Sequence, residues 1–211
     1  MKKISIIDYG VGNLLSLKMA LEHLGAEVVI TRDKKAITNS SHLILPGVGA
    51  YGKAMKLIKK YKIDEYLSES KLKGANILGI CLGMQLFMSS SYEFGFTKGL
   101  NFIDGDVNSI SKLKNYKEGI KIPNIGWFKV KKNNDASAHS MLEKILPSDT
   151  FYFVHSFFCE PRNPRSLSYF SDYEGLKITA IIAHDNVIGC QFHPEKSGNS
   201  GLKFLDNFLK L

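Results

Sequence analysis

In the first half of the chain, short apolar runs alternate with amphipathic stretches, a pattern typical of a parallel sheet covered by helices. Four of these runs have the length of buried strands, at residues 4–8, 28–31, 42–45 and 77–80. Apolar residues at helical spacing predict a helix over residues 13–24, which Asn13 caps and Gly25 ends. A second helical region, broken near Tyr61, is predicted over residues 53–73.

The pattern changes between residues 104 and 191, where short β-like runs are separated by glycine, asparagine and proline. These runs lie at residues 127–131, 151–154, 179–183 and 187–191. They indicate hairpins and mixed strand pairing, and a last helix is predicted over residues 201–209. The sequence therefore predicts an α/β fold with a mostly parallel central sheet flanked by helices, an antiparallel β extension, and one domain over residues 1–211.

The composition is that of an ordinary globular protein. Of 211 residues, 44% are hydrophobic and 23% are charged, which argues against disorder. Apolar runs fall far short of the ~20 residues that a membrane-spanning helix needs, so no membrane association is expected. The apolar run after Lys2 and Lys3 ends at Asp8, too early for a signal peptide, and a cytoplasmic location is expected.

The formal net charge of +8 does not indicate a nucleic-acid partner. The excess is almost all scattered lysine, and the chain has three arginines, which is typical of solvated faces. A basic surface would equally complement an acidic partner or a phosphorylated substrate. The three cysteines and six histidines lack metal-ligand spacing, so we expect neither a metal nor another cofactor.

One segment has the features of a nucleophile on a tight turn. An apolar strand runs into Gly79-Ile80-Cys81-Leu82-Gly83, and an amphipathic helix is predicted to follow. Glycines two residues to either side of Cys81 allow strand and helix to pack closely around it. The sulfur would then lie beside a helix N-terminus, where unpaired N–H groups favour the thiolate. A buried structural cysteine is the alternative.

A general base for this nucleophile is predicted in the segment His193-Pro194-Glu195. Residues two apart in an extended segment project to the same side, and Pro194 stiffens the pair. A carboxylate bonded to one ring nitrogen fixes the tautomer and leaves the other nitrogen to take the thiol proton. The alternative is a surface turn with the same three residues.

The glycine-rich segment Pro46-Gly47-Val48-Gly49-Ala50 follows a predicted strand and would direct backbone N–H groups at an oxyanion. It lacks the spacing and the Lys-Ser/Thr ending of a phosphate-binding P-loop. The N–H group of Leu82, directly after the cysteine, is the second candidate donor. A simple turn is the alternative for the glycine-rich segment.

Taken in this order, the three segments closely resemble those of the class I glutamine amidotransferases. Within that family the chain is similar to the glutaminase subunits of imidazole glycerol phosphate synthases. The similarity spans nearly the whole chain and includes residues 8–14, 151–156 and 196–198. It implies an enzyme that hydrolyses L-glutamine to glutamate and ammonia through a thioester.

The resemblance also implies roles for single residues. Cys81 would attack the glutamine amide, His193 would act as base and then acid, and Glu195 would orient the imidazole. The other implied roles are oxyanion binding by Gly49 and Leu82, glutamine binding by Gln85, His155 and Ser156, and partner contact by Tyr152, Lys196, Trp127 and Asn124. The partner would be a separate (β/α)8-barrel synthase, because the chain ends one helix after the His-Pro-Glu segment.

The stretch 122–128 departs from the family pattern Pro-His-x-Gly-Trp-Asn. Asn124 replaces the histidine and Phe128 the asparagine, and Phe157 replaces a tyrosine that usually follows Val-His-Ser. Two pathways stay open. Histidine biosynthesis is favoured, and a paralogue that supplies ammonia for an amidino-sugar of a surface polysaccharide is the alternative. A cysteine hydrolase of similar fold, a third class, would leave the His-Pro-Glu segment unexplained.

Overall fold

Residues 2–211 are described by a computed structural model, in which they form six α-helices and thirteen β-strands. The helices are α1 (Leu14–His23), α2 (Lys34–Thr38), α3 (Tyr51–Lys60), α4 (Ile63–Leu72), α5 (Leu82–Leu86) and α6 (Gly198–Leu209). A nine-stranded sheet contains, in spatial order, β2 (Glu27–Thr31), β1 (Lys3–Ile7), β3 (His42–Gly47), β4 (Asn76–Cys81), β13 (Val187–Cys190), β12 (Leu176–His184), β11 (Leu167–Tyr173), β8 (Asn124–Lys132) and β9 (Thr150–His155). A four-stranded sheet contains β10 (Phe157–Pro161), β7 (Ile103–Ser109), β5 (Met88–Ser91) and β6 (Thr97–Lys98).

The larger sheet has a parallel half and an antiparallel half. Strands β2, β1, β3, β4 and β13 pair in parallel. Strands β13, β12, β11, β8 and β9 then pair antiparallel. The predicted α/β fold with a parallel sheet and an antiparallel extension is therefore confirmed.

Hydrophobic cores cover both faces of the parallel strands. One core joins the sheet to α1 and α6, and a second joins it to α3, α4 and α5. Every residue of β3 is buried, which explains why this strand appears in the sequence as a continuous apolar run. Across residues 2–211, none of the helices combines the length and apolar character that crossing a bilayer requires.

Several elements differ from the sequence prediction. Helix α2 and the four-stranded sheet were not predicted, because β5 reads Met-Ser-Ser-Ser and β7 carries aspartate, glycine and asparagine. β5 is short and polar, and in β7 the buried positions alternate but include a glycine, so only Ile103 and Val107 mark the period. The helix after Cys81 has only five residues, all buried, and is not amphipathic.

The parallel pairing brings three loops to one edge of the sheet. β3 ends at Gly47, β4 at Cys81 and β13 at Cys190, and the three strands are neighbours. Because parallel strands place their carboxyl ends at the same edge, the glycine-rich turn, the cysteine turn and the His-Pro-Glu segment meet there. In α/β sheets this edge is where ligands bind.

Two glycines allow the close approach of strand and helix around the cysteine. A Cβ atom at Gly83 would lie 1.7 Å from the backbone oxygen of Leu45, and one at Gly79 would lie 2.4 Å from the ring of Phe87. Since Leu45 O belongs to a strand in the centre of the sheet, a side chain at Gly83 has no room. The spacing of glycines in the sequence thus reflects packing.

We expect Gly83→Ala to lower the free energy of unfolding by about 3 kcal/mol, because the added methyl must displace main chain. Denaturant unfolding measures this change. Gly52→Ala in α3 is the matched control, since a Cβ there meets only Thr97 Oγ1 at 3.4 Å. The control should keep or slightly raise stability, and equal midpoints for the two variants would contradict the packing argument.

Candidate active site

Cys81 occupies a strained backbone position between β4 and α5. Its φ of 53° and ψ of −109° lie outside the regions that residues with a side chain usually adopt. Strain of this kind persists only where the surroundings hold it, and it is common at active sites. The turn that the Gly-x-Cys-x-Gly pattern predicts is present, and Cys81 packs against the core on one side and lines a cavity on the other.

His193, which lines the same cavity, forms a buried pair with Glu195. His193 Nδ1 donates to Glu195 Oε1 at 2.8 Å, and both side chains are almost fully buried. The bond leaves Nε2 free to face Cys81. A 3-10 turn at Pro194–Lys196, rather than the expected extended segment, brings the carboxylate under the ring.

The protonation of His193 is set by opposing effects. Burial alone would lower the pKa of His193, but hydrogen bonds to Cys81 and Glu195, together with their negative charges, outweigh it. The net effect raises the pKa well above its ordinary value. The charged imidazolium is therefore the form of His193 that the site stabilises at neutral pH.

The site faces a cavity of about 540 Å³. Its wall contains Cys81 and His193 and every oxyanion and glutamine-binding residue expected from the sequence, namely Gly49, Leu82, Gln85, His155 and Ser156. Val48, Glu93, Phe94, Pro123, Val154 and Phe157 complete it. A cavity of this volume is large enough for an amino acid.

The glycine-rich turn that borders the cavity is supported by Tyr9. Tyr9 is fully buried, and its hydroxyl donates to Pro46 O at 2.9 Å. Gly47 lies directly on this hydroxyl, since a Cβ there would be 2.5 Å from it. Gly49 has a φ of +92°, a conformation that glycine adopts without strain.

His155 lines the cavity, and its imidazole ring is neutral. Burial lowers its pKa to about 4, although the hydrogen bond to a backbone oxygen opposes this. Nδ1 donates to Phe157 O at 2.8 Å, and Nε2 therefore accepts from Asn124 Nδ2 at 3.0 Å. Because both ring nitrogens are bonded within the protein, His155 shapes the cavity and offers its ring face to a ligand.

Two residues at the site had no role in the sequence analysis. Glu93 lines the cavity, and its Oε2 accepts from the backbone N–H of Tyr51 at 2.7 Å. Gln191 Nε2 lies 3.6 Å from Cys81 Sγ. Glu93 stands in no motif, whereas Gln191 precedes His193 by two residues, so the alternation along the segment would have found it.

The residues expected to face a partner separate into two sets. Trp127 is 54% exposed, its ring centroid lies 5.9 Å from that of Tyr152, and Lys196 Nζ lies 6.0 Å from the Tyr152 ring. These three form a surface group that we name the aromatic face. Asn124 is fully buried against His155, so in this structure it belongs to the interior and not to that face.

A thiol on a strained turn, a histidine held by a carboxylate and a cavity at the edge of an α/β sheet define a cysteine-nucleophile hydrolase class. The family model for glutamine amidotransferase class-I matches residues 5–211. The chain belongs to this family and is an enzyme, a glutamine amidotransferase.

Relatives match over the full length of the chain. The imidazole glycerol phosphate synthase subunit HisH of Lactococcus lactis subsp. lactis is 43% identical over 210 residues, covering 100% of this chain and 99% of the relative. Subunit HisH 1 of Legionella pneumophila (strain Paris) is 39% identical over 213 residues and is covered completely.

Solved structures share the fold at lower identity. PurLQS from Thermotoga maritima superimposes with a TM-score of 0.71 at 22% identity, covering 99% of this chain and 98% of that chain. The crystal structure of another glutamine amidotransferase gives a TM-score of 0.70 at 17% identity, covering 97% of this chain and 98% of that chain. At these identities the likeness supports the fold alone.

We expect Glu195→Gln to reduce glutamine turnover about a hundredfold or more, because the imidazole loses the charge that holds its orientation. Loss of that charge also lowers the pKa of His193. If the His193 imidazolium protonates the leaving amide nitrogen, that acid is then lost at lower pH, and the alkaline limb of the rate profile should shift to lower pH. Initial rates across pH measure both effects.

Glu174→Gln, a charge change at an exposed turn, is the control and should leave rate and profile unchanged. An alkaline limb at the same pH in Glu195→Gln and the parent enzyme would rule out the assigned cause of the raised pKa.

Proposed function

We propose that the chain is the glutaminase subunit of an imidazole glycerol phosphate synthase, formed as one domain over residues 1–211 and working in the cytoplasm. It would hydrolyse L-glutamine and deliver ammonia to a separate synthase chain in histidine biosynthesis. The observation that carries the proposal is that His193, bonded to Glu195 at 2.8 Å, lines the same cavity as Cys81. Full-length relatives named as subunits of that synthase support the pathway.

The residues suit a two-step thioester mechanism. Cys81 Sγ attacks the side-chain carbonyl carbon of glutamine, and the thiol proton is held on His193 Nε2. The imidazolium gives that proton to the amide nitrogen, the C–N bond breaks, and ammonia leaves. His193 then takes a proton from water, which attacks the thioester and releases glutamate and the free thiol.

The oxyanion of each tetrahedral intermediate needs two N–H donors. Leu82 begins α5 directly after the nucleophile, and Gly49 lies across the cavity on the turn after β3. We assign their N–H groups to this role. Such donors commonly contribute ~3 kcal/mol each to transition-state stabilisation.

The cavity wall also offers acceptors for the α-ammonium of glutamine. Gln85 Nε2 donates to Phe157 O and to Gln191 Oε1, so its own Oε1 is the group left for a ligand. Glu93 adds a carboxylate at the same cavity. An acceptor oxygen and a negative charge fit a substrate ammonium group.

The aromatic face is the surface we assign to the synthase partner, for which a (β/α)8 barrel is the expected fold. Trp127 and Tyr152 supply aromatic contact area of the kind that is enriched at interface centres, and Lys196 adds a positive charge beside Tyr152. Exposed Ile125 on β8 continues this face. A partner bound at this face in a heterodimer would lie directly beside the proposed catalytic histidine.

One observation favours a second candidate, a paralogue that supplies ammonia for an amidino-sugar. Asn124 stands where the family pattern has histidine, and it contacts the cavity residue His155. Phe128, a second departure, packs against Phe153 and Tyr173 behind the aromatic face. Changes in this layer would suit a different synthase partner.

We expect Cys81→Ala to abolish glutamine hydrolysis, since the thioester needs the sulfur. Glutamate release in the presence of the synthase partner measures this. Cys159→Ala, which removes a buried thiol from β10, serves as the control and should retain activity. Glutamine turnover by Cys81→Ala at the parent rate would remove the basis of the proposed function.

The pathway is tested by growth. A histidine-requiring strain that lacks its own glutaminase subunit should grow without histidine when it carries this chain and the barrel subunit encoded with it. The Cys81→Ala chain is the matched negative control and should not restore growth. Growth failure, with active glutaminase present in extracts, would instead favour the amidino-sugar candidate.

A further inference from the structure

The two glutamines of the sequence are hydrogen bonded to each other beneath the cavity. Gln85 lies on α5 and Gln191 directly after β13, 106 positions apart in the sequence. Gln85 Nε2 donates to Gln191 Oε1 at 3.0 Å, and both side chains are buried. Gln191 Nε2 then lies 3.6 Å from Cys81 Sγ.

A backbone carbonyl sets the direction of both amides. Phe157 O can only accept, so the group that Gln85 presents to it at 3.2 Å must be the NH2. The same NH2 group donates to Gln191, which must present its oxygen. The NH2 of Gln191 therefore points toward the sulfur. Rotating this amide by 180° would break its hydrogen bond with Gln85.

The titratable groups around Cys81 come from four elements. Tyr9 follows β1, Cys159 lies on β10, Cys190 ends β13 and His193 follows it. Burial raises the pKa of Tyr9, Cys159 and Cys190, with a further increase from Cys81 in each case and from Glu195 for Cys190. These three groups stay neutral, which leaves His193 as the charged neighbour.

We propose that Gln191 is a further catalytic residue that stabilises the Cys81 thiolate through an N–H···S bond, and that Gln85 is a positioning residue that aims it. The inference rests on the proposed role of Cys81 as nucleophile. An amide donor favours the charged form of sulfur without adding a competing charge. The same donor also fixes the position of the sulfur in the absence of substrate.

The test is the pH dependence of iodoacetamide alkylation at Cys81, followed by mass spectrometry of the peptide that contains it, without glutamine. Gln191→Met keeps the side-chain length and removes the donor. We expect its alkylation midpoint to rise by about one pH unit, with an alkylation rate near neutral pH up to tenfold lower. The kcat for glutamine should fall more than KM rises.

Gln85→Met is the second variant, and it tests the proposal even if Gln191→Met fails to fold. It frees Gln191 to rotate, so its alkylation midpoint should move the same way by a smaller amount. Glutamine is absent from the assay, so any contact of Gln85 with substrate does not affect the result.

Asn133→Leu is the matched control. It also removes a buried amide, one that donates to Leu167 O at 3.0 Å, and Asn133 lies outside the cavity wall. It should lower thermal stability and leave the alkylation midpoint unchanged. If the alkylation midpoints of Gln191→Met and Gln85→Met equal the parent value, the proposed roles of Gln191 and Gln85 are overturned. The proposed function stays intact in that case as long as glutamine hydrolysis depends on Cys81.

Discussion

The structure depends on the backbone conformation of one residue, Cys81. A residue with a side chain held at φ 53° and ψ −109° costs about 1–3 kcal/mol, and only close packing on both sides keeps it there. Gly83 lies against the backbone of β3, and Gly79 lies against Phe87. Because β3, β4 and β13 are neighbours, fixing this turn also fixes its distance from the glycine-rich turn and from His193.

The hydrophobic core supplies the second half of that geometry. Phe192 is fully buried in an aromatic cluster, stacked on Phe151 with centroids 4.1 Å apart and in edge contact with Phe204. Its neighbours Gln191 and His193 project to the opposite side, toward the sulfur. The polar groups of the site are thus placed by a buried aromatic side chain between them, and aromatic packing of this kind tolerates little displacement.

The parts that sequence reasoning predicted are those with strong local signals. Strands buried on both faces give continuous apolar runs. The glycines around Cys81 form a recognisable five-residue pattern, although the contacts that require them are with Phe87 and with the backbone of Leu45 on β3. The four-stranded sheet gave a weaker signal, because β5 and β6 are short and polar and the seven-residue strand β7 has only two large apolar side chains. Glu93 and the burial of Asn124 depend on contacts between segments distant in sequence, with Tyr51 and His155 respectively, and no local pattern encodes them.

Backbone hydrogen bonds connect the aromatic face to the segment that carries His193. The backbone oxygen of Tyr152, whose ring belongs to the aromatic face, accepts from the backbone N–H of His193 at 2.9 Å. The backbone N–H of Tyr152 donates to Ser197 Oγ at 2.9 Å. Ser197 Oγ in turn donates to His193 O at 2.6 Å. These bonds tie both backbone groups of the histidine to β9, so a shift of that strand carries the imidazole with it. Proton transfer depends on close placement of the base, so a partner that displaced β9 at the aromatic face would change the position of the proposed base.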